Sequence, residues 1–246
     1  TRDDLLAEVI VRLKAEHPGA SIVLADCYQS GQHYVECAGS TVLRSYPEVQ
    51  HYVKYEGEST LPRLLSEGFE TGGVSSGARP EELDRLPFPA WDAVDLEAYS
   101  RFHARVVADL GRGAWAFPID GLTLPLLTSR GCPFTCLHCS SNPDRVDGAP
   151  KTQRRYSAEY LKRYVEFLHR DCGATRLEVL DELVNVRKSH FDAFLTLMEA
   201  HELAFDVPNG MRADYLEREH LDRMKGLVTT VSVSAESGSR RVVDSV

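Results

Sequence analysis

The most informative stretch of the sequence is Thr128-Ser129-Arg130-Gly131-Cys132-Pro133-Phe134-Thr135-Cys136-Leu137-His138-Cys139. Its three cysteines follow one another at spacings of four and three residues. Three thiolates this close in sequence can hold three irons of a cubane iron-sulfur cluster and leave the fourth iron without a protein ligand. Gly131 and Pro133 flank the first cysteine and help the backbone to turn tightly around such a cluster. The stretch therefore predicts a cluster with one iron open to chemistry.

A zinc ion is the alternative occupant of these thiolates. Structural zinc takes four nitrogen or sulfur donors, so His138 or a more distant residue would complete the set. Zinc sites usually pair two CxxC motifs, and only Cys136 and Cys139 are spaced in that way. The spacing favours the iron-sulfur cluster. The zinc alternative implies a zinc-stabilised α/β binding module without catalysis.

The composition is typical of a globular protein. The chain has 246 residues, 43% of them hydrophobic, and 37 acidic against 28 basic side chains give a formal charge of -9. No run of Lys and Arg suggests contact with a phosphate backbone, and no apolar run reaches the roughly 20 residues that cross a bilayer. Residues 1–16 are too charged for a signal peptide. We therefore expect neither a nucleic-acid nor a membrane partner.

The remaining cysteines, Cys27, Cys37 and Cys172, stand alone in the sequence. A disulfide framework usually spreads its cysteines through a shorter secreted chain, so this distribution favours a reducing compartment. We interpret the three as buried or half-buried small side chains and expect a cytoplasmic protein.

The first 120 residues predict one small α/β domain and a linker. Helical apolar spacing at residues 6–13 precedes a strand at 22–25, and a strand around Tyr52-Val53 precedes a helix at 61–65. Strands that alternate with helices form parallel sheets, which predicts a partial Rossmann-like domain over residues 1–70. Residues 71–120, rich in Gly, Ser and Pro, predict a linker with a short helix near 96–107.

Residues 121–246 predict three βα units and the start of a fourth. Strands are expected at 122–128, 176–180, 204–207 and 229–234, and helices around 161–168, 191–198 and, with Leu221 and Met224 inward, 221–224. Ser157 is the candidate cap of the first of these helices. The distinctive segments all follow strands, at the sheet edge where α/β proteins bind ligands. These segments are the cysteine loop, Asp181-Glu182, Asn209 to Arg212 and Glu236 to Ser239.

The segment from Thr128 to Cys139 resembles the radical S-adenosylmethionine (SAM) superfamily, in which CxxxCxxC follows a strand. The resemblance implies a partial (β/α) barrel in which Cys132, Cys136 and Cys139 hold a 4Fe-4S cluster and SAM binds the open iron. In that family an external one-electron reductant drives cleavage of SAM to a 5′-deoxyadenosyl radical, which abstracts hydrogen from the substrate.

The same resemblance implies contacts with SAM. The backbone of His138 would lie beside the adenine, and Asp181 and Glu182 stand where the family has a Gly-Gly-Glu element that holds the SAM ammonium group. Further candidates for the same cleft are Arg212, Glu236 and Ser237. The structural alternatives are a solvated turn for Asp181 and Glu182, a surface charge for Arg212 and a helix cap for the segment from Glu236 to Ser239.

The stretch ahead of the cysteines is similar to the subgroup with a cobalamin-binding domain. Ile22-Val23-Leu24 and the segment Val53 to Leu61 carry this resemblance, together with Leu86-Pro87-Phe88-Pro89. It implies that Ala25, Asp26, Gly57 and Glu58 lie near cobalamin. It also implies further strands before residue 1 and further βα units after residue 246.

The family resemblance implies a cobalamin-dependent methyltransferase that acts on an unactivated carbon or a similar centre. One SAM would supply the radical and a second would supply the methyl group. The substrate would be a small, natural-product-like molecule. A non-methylating rearrangement or cyclisation with the same cofactors is the alternative within enzymes, and the zinc-stabilised binding module is the alternative outside them.

Overall fold

The computed structural model describes residues 3–25, 39–54, 56–77, 80–111, 117, 121–134, 136, 152–233, 235 and 237–244. These residues form a mixed α/β structure with parallel sheets. One compact unit comprises the described residues up to Glu81, and a second comprises those from Glu82 onward.

The first unit is built on a parallel sheet of the order β1-β2-β3. Its elements, in chain order, are α1 (Asp4–Glu16), β1 (Val23–Ala25), α2 (Gly39–Ser45), β2 (His51–Lys54), α3 (Thr60–Glu67) and β3 (Gly73–Ser76). The helix α1 begins where the Asp3 carboxylate accepts a hydrogen bond from the amide of Leu6 at 2.9 Å. Such a side-chain cap satisfies one of the amides that have no partner inside the helix.

One core cluster of the first unit lies around Ile10. Its buried apolar members are Ala7, Ile10, Tyr46 and Val49, with Ile22, Leu24, Val42 and Leu43 packed against them, and Tyr52, Val53 and Leu64 of the same unit are also buried. The predicted apolar face of α1 is buried only in part, because Leu6, Val9 and Leu13 remain exposed.

The second unit begins with short elements and one long helix. Leu83–Arg85 and Trp91–Ala93 are 3₁₀ turns, and α4 spans Leu96–Leu110. This helix confirms the one predicted near residues 96–107. The strand β3, in contrast, occupies residues that the sequence assigned to the linker, where glycine and serine lack the apolar alternation by which strands are recognised.

A second parallel sheet, of the order β4-β7-β8, forms the centre of this unit. The remaining elements are β4 (Thr123–Leu126), β5 (Ser129–Arg130), β6 (Arg154–Arg155), α5 (Ala158–Glu166), a π-helical turn (Phe167–Asp171), β7 (Arg176–Val179), α6 (Lys188–His201), β8 (Ala204–Asp206), a 3₁₀ turn (Ala213–Tyr215), α7 (Arg218–Met224) and α8 (Arg240–Val243). The predicted cap Ser157 is confirmed, since its hydroxyl accepts a hydrogen bond from the amide of Tyr160.

The core of the second unit is large and aromatic. Leu177 and Val179 of β7 and Phe205 of β8 point to one face of the sheet, where Phe191 and Phe194 of α6 pack. All five side chains are almost completely buried. The strand ends after β4, β7 and β8 are thereby fixed to a rigid support.

Two sequence predictions are wrong in this unit. Leu221 was expected to face inward on α7, but its side chain is 50% exposed and the buried members of that helix are His220 and Met224. Residues 229–233 were expected to form a strand, but they form an isolated parallel bridge between Val207 and Val231, and the Ser232 carbonyl accepts a hydrogen bond from the amide of Met211. Ser234, the last residue of the predicted strand, lies outside the described part of the chain.

None of the helices in the described part of the chain combines the length and the apolar character that a bilayer crossing requires.

Candidate functional site

The cysteine loop begins at the carboxyl end of β4. After Leu126 the chain turns into β5, which pairs with β6 in antiparallel fashion, and Gly131 and Cys132 follow directly. Cys132 and Cys136 are partly exposed and form no disulfide. Two reduced thiols therefore lie at the sheet edge where the sequence predicted metal ligands.

Gly131 fixes the start of the loop. Its φ of +89° lies in the left-handed region, and a Cβ at this position would collide with the carbonyl oxygen of Thr152. Only glycine adopts this conformation and leaves the required space. The backbone therefore makes the tight turn that was expected ahead of Cys132.

The third cysteine of the motif, Cys139, lies outside the described residues, as do His138 and Glu236. Within the described ranges no three His, Cys, Asp or Glu side chains come together as a metal site. The donor chemistry of Cys132 and Cys136 fits an iron-sulfur cluster, because sulfur of partly exposed cysteines outside any disulfide is the donor that such clusters take.

Asp181, at the carboxyl end of β7, is completely buried. Its Oδ1 accepts a hydrogen bond from the amide of Thr128 at 2.6 Å, and its Oδ2 accepts one from the Thr128 hydroxyl at 2.7 Å. The Ser129 hydroxyl donates a further hydrogen bond to Oδ2. The carboxylate thus joins the end of β7 to the two residues that lead from β4 into the cysteine loop.

Two further side chains extend this network. The Nε2 of Gln153 donates to the Ser129 hydroxyl at 3.0 Å and to the carbonyl of Leu183 at 2.7 Å. The Nε2 of His190, on α6, lies 2.9 Å from the Thr128 hydroxyl. Because that hydroxyl gives its proton to Asp181, it accepts from His190, and this assigns the imidazole proton to Nε2.

Burial shifts the pKa values of both titratable groups in the network. Burial raises the pKa of Asp181 to about 6, although the hydrogen bonds from Ser129 and Thr128 oppose the rise. Burial also lowers the pKa of His190 to about 4, and the positive charges of Arg155 and Arg187 act in the same direction. His190 is therefore neutral at physiological pH.

Asparagine side chains tie the segment after β8 to the end of β7. The Nδ2 of Asn209 donates to the carbonyls of Leu180 and Asp181 at 2.9 and 3.2 Å. Asn185 and the backbone of Arg212 exchange two hydrogen bonds, of 2.8 and 3.1 Å. Two of the predicted strand-end segments are therefore held together by direct contacts.

Arg212 lies beside the cysteine loop. Its guanidinium carbon is 4.4 Å from the centre of the Phe134 ring, and its Nε and Nη2 donate to the Asp214 carboxylate at 2.9 and 2.7 Å. The hydrogen bonds to Asp214 raise the pKa of Arg212. Arg212 is thus a fixed cation next to one of the predicted ligands.

The other predicted contacts occupy different surroundings. Glu182 follows Asp181 and is half-buried. The Ser237 hydroxyl accepts a hydrogen bond from the amide of Ser239, next to the start of α8. The helix α8 begins after Ser239 without a side-chain cap, so this contact does not make Ser237 a helix cap, and its role in SAM binding stays a prediction.

The candidate cobalamin residues lie in the first unit. Ala25 ends β1 and pairs with Val53 of β2, and Gly57 and Glu58 follow β2. The parallel pairing brings Ala25 and the segment Gly57-Glu58 to the same edge of the sheet. Asp26 lies outside the described residues.

Sequence reasoning missed Gln153, Asn185 and His190 as members of the site. Gln153 reaches Ser129 because β5 pairs with β6, and the sequence gives no sign of that two-residue pairing. His190 precedes the buried Phe191 on α6, and a single polar residue beside an apolar face is ordinarily a surface residue.

Comparison with known proteins finds several distant relatives. They include an uncharacterized methyltransferase of Pyrococcus horikoshii, 24% identical over 233 residues. Others are the anaerobic magnesium-protoporphyrin IX monomethyl ester cyclase of a Synechocystis species, 21% identical over 206 residues, and the cytidylyl-2-hydroxyethylphosphonate methyltransferase of Streptomyces wedmorensis, 26% identical over 195 residues.

The alignments cover 87%, 76% and 77% of this chain but only 46%, 37% and 34% of the respective relatives. The chain thus spans less than half the length of each. No family model matches the chain. Its similarity is to proteins named as methyltransferases and as a cyclase, which supports an enzymatic role.

Proposed function

We propose that the chain belongs to a cobalamin-dependent radical SAM enzyme that methylates a small molecule. The observation that carries the proposal is the position of the cysteine loop. Its first two thiols, Cys132 and Cys136, follow the first strand of a parallel sheet, beside the fixed cation Arg212. The carboxyl edge of parallel strands is where α/β enzymes place their chemistry.

In this proposal Cys132, Cys136 and Cys139 hold a 4Fe-4S cluster. When bound, the cluster supplies an electron that cleaves SAM to a 5′-deoxyadenosyl radical, and cobalamin carries the methyl group. The protein's own part is to hold the loop and to present charge. Gly131 sets the turn, and Arg212, kept in place by Asp214 and Phe134, offers a cation to the carboxylate of an amino-acid-like ligand.

The relatives support the methyl-transfer part of the proposal. Two of them carry methyltransferase in their names. The barrel beyond the described strands, the domain boundaries at residues 70 and 120, and the cobalamin residues Ala25, Asp26, Gly57 and Glu58 belong to the same proposal.

The first test concerns the metal. The protein purified and reconstituted without oxygen should hold four irons and four sulfides and absorb broadly in the visible range. Cys132→Ala, Cys136→Ala and Cys139→Ala should each lose this absorbance. Cys172→Ala is the matched control and should keep it, because Cys172 packs against the hydrophobic core. Colourless protein with one zinc per chain would favour the binding module instead.

The second test concerns the reaction. A one-electron reductant and SAM should yield 5′-deoxyadenosine, and methyl transfer should also yield S-adenosylhomocysteine. The protein should copurify with a red corrinoid. An intact cluster that forms no 5′-deoxyadenosine would contradict radical chemistry.

Cyclisation without methyl transfer is the second candidate, and similarity to the magnesium-protoporphyrin cyclase favours it. The product mixture separates the two candidates. A cyclase would form 5′-deoxyadenosine from SAM without S-adenosylhomocysteine, whereas a methyltransferase would form both.

A further inference from the structure

The Asp181 carboxylate faces protein on every side. The residue has no exposed surface, and hydrogen bonds from Thr128 and Ser129 occupy both oxygens. A SAM ammonium group could contact this carboxylate only if the protein around Asp181 moved away, because the residue has no exposed surface. Movement of the Thr128-Ser129 segment would leave buried donors without a partner, which costs free energy, so this contact is unfavourable.

The groups that Asp181 holds lie directly before the first cysteine. Thr128 and Ser129 lie four and three residues before Cys132 in the sequence. Gly131, directly before Cys132, has a positive φ that leaves its backbone little freedom. An error in the position of Thr128 would therefore pass to the Cys132 thiol. Gln153 donates to the Ser129 hydroxyl and His190 to the Thr128 hydroxyl, so each hydroxyl has a second partner besides Asp181.

We propose that Asp181 is a positioning residue that fixes the Thr128-Ser129 segment and thereby places Cys132 for cluster assembly. The inference rests on the proposed function, because it needs the cysteines to bind a cluster. It assigns to Asp181 a different role from the contact with SAM that the sequence suggested. The two roles differ in what the loss of the carboxylate should change.

Asp206 provides a matched control. It is also a buried aspartate at the end of a strand of this sheet, and its carboxylate accepts a hydrogen bond from Arg176 at 2.9 Å. The register of β7 and β8 pairs Asp206 with Glu178 on the neighbouring strand. Asp206→Asn therefore disturbs a buried charge in the same sheet without touching Thr128 or Ser129.

The test compares Asp181→Asn and Asp206→Asn with the wild-type protein after anaerobic reconstitution. We expect iron bound to Asp181→Asn to dissociate to a chelator about ten-fold faster or more, since residues that orient metal ligands have effects of this size. The cluster that does assemble should bind SAM with wild-type affinity, as measured by the change that SAM causes in the spectrum of the reduced cluster. Asp206→Asn should retain its iron.

Several results would overturn the inference. A stable cluster in Asp181→Asn with weakened SAM binding would make Asp181 a cofactor ligand. A stable cluster with normal SAM binding would leave it without a role in the site. Equal loss of iron in Asp206→Asn would show a general effect of disturbing the sheet.

A measurement on the metal-free protein separates the inference from the proposed function. Asparagine keeps one acceptor oxygen for the three donors that Asp181 accepts, so the Thr128-Ser129 segment should loosen, and hydrogen exchange at the Thr128 amide should become about ten-fold faster in Asp181→Asn. Exchange in the body of β7 should be unchanged. Wild-type protein that binds no cluster would contradict the proposed function, whereas unchanged exchange at Thr128 would contradict the positioning role.

Thr128→Val provides a second variant of nearly the same shape. It removes the hydroxyl that joins Asp181 to His190 but keeps the Thr128 amide. We expect the same effects as in Asp181→Asn, but smaller. If folded Thr128→Val kept its iron as long as the wild-type protein does, the hydrogen bonds among Asp181, Thr128 and His190 would not be what positions Cys132.

Discussion

The two parallel sheets of this protein share a topology but differ in how their strand ends are held. In the described residues of the first unit, β1, β2 and β3 pack on a core cluster around Ile10. In the second unit, β4, β7 and β8 pack on an aromatic core, and buried side chains cross-link the segments after the strands. The buried Asp181 and Asn185 and the half-buried Asn209 supply hydrogen bonds of this kind.

The difference indicates where the chain needs precision. Catalytic groups must be held within a fraction of an ångström, and this takes supporting residues whose own positions are locked. The loop with Cys132 has that support. At the edge with Ala25 and Gly57, the amide of Leu61 at the start of α3 donates a hydrogen bond to the carbonyl of Gly57 at 2.7 Å.

The largest expected effect comes from the core of the second unit. Phe205 is completely buried and meets the Phe194 ring edge-on at 4.9 Å. Phe205→Ala should lower the free energy of unfolding by about 3–5 kcal/mol, since it leaves a cavity that the sheet cannot close. Urea denaturation followed by the fluorescence of Trp91, which donates a hydrogen bond to Tyr164 in the same unit, measures the change.

The control for this variant is Phe102→Ala on α4, where the side chain is 61% exposed. Its effect should stay within about 0.5 kcal/mol. A loss of less than about 1 kcal/mol in Phe205→Ala would mean that the aromatic core is not what makes the second sheet rigid.

The next effect depends on pH. His190 is neutral in the fold down to about pH 4 but takes up a proton in the unfolded chain near its ordinary pKa of 6.5, so it removes stability as the pH falls from 6.5 to 4. Asp181 has the opposite sign. It holds a proton in the fold up to about pH 6 but loses it near 3.8 when unfolded, so it adds stability as the pH falls from 6 to 4.

These two contributions, each up to about 3 kcal/mol, nearly cancel in the wild-type protein between pH 4 and 6. Single variants should reveal them. Stability should rise on acidification in His190→Gln, whose amide can still reach Thr128, and should fall in Asp181→Asn. Denaturation curves at pH 4, 5 and 6 measure both slopes, and equal slopes in the two variants would contradict the assignment.

A smaller effect is expected in the first unit. The buried His51 donates from Nδ1 to the carbonyl of Glu70 at 3.0 Å, and its Nε2 accepts a hydrogen bond from the Ser75 hydroxyl at 2.9 Å. His51→Ala leaves both partners without this contact and should cost about 1–3 kcal/mol. Circular dichroism during denaturation measures the loss, with the exposed His17→Ala as the control. An unchanged free energy of unfolding in His51→Ala would mean that His51 does not hold β2 and β3 together.

The smallest effect comes from surface charge. Arg12 pairs with Glu16 on α1 at 2.8 Å, and the two side chains are 81% and 52% exposed. Arg12→Ala should change the free energy of unfolding by less than about 0.5 kcal/mol, because water and salt screen such a pair. A change above about 1 kcal/mol at moderate salt would mean that the first unit depends on surface ion pairs.

The sequence predicted most helices and strands because apolar spacing reports burial on one face. The prediction from sequence failed where apolar spacing did not coincide with burial. Leu221 fits the helical pattern of α7, yet the buried His220 takes the inward position through its hydrogen bond to Asp192. The residues after Thr229 look like a strand, but the described part makes one bridge to Val207.

The cysteines of the candidate site can be picked out from the sequence, whereas the contacts that support the loop cannot, and the role of the cysteines as metal ligands stays a prediction. The spacing of Cys132, Cys136 and Cys139 is local, so it is visible in the sequence. The contacts of Thr128 with Asp181 and His190 join residues 53 and 62 positions apart, and such pairings follow from the tertiary fold. The sequence drew attention to Asp181, although its surroundings point to a different role.

The geometry at Gly131 also limits how this chain can vary. A side chain at position 131 would meet the carbonyl of Thr152 and would need a backbone conformation that other residues rarely adopt. Position 131 is therefore closed to substitution, because the turn that leads into Cys132 depends on glycine there.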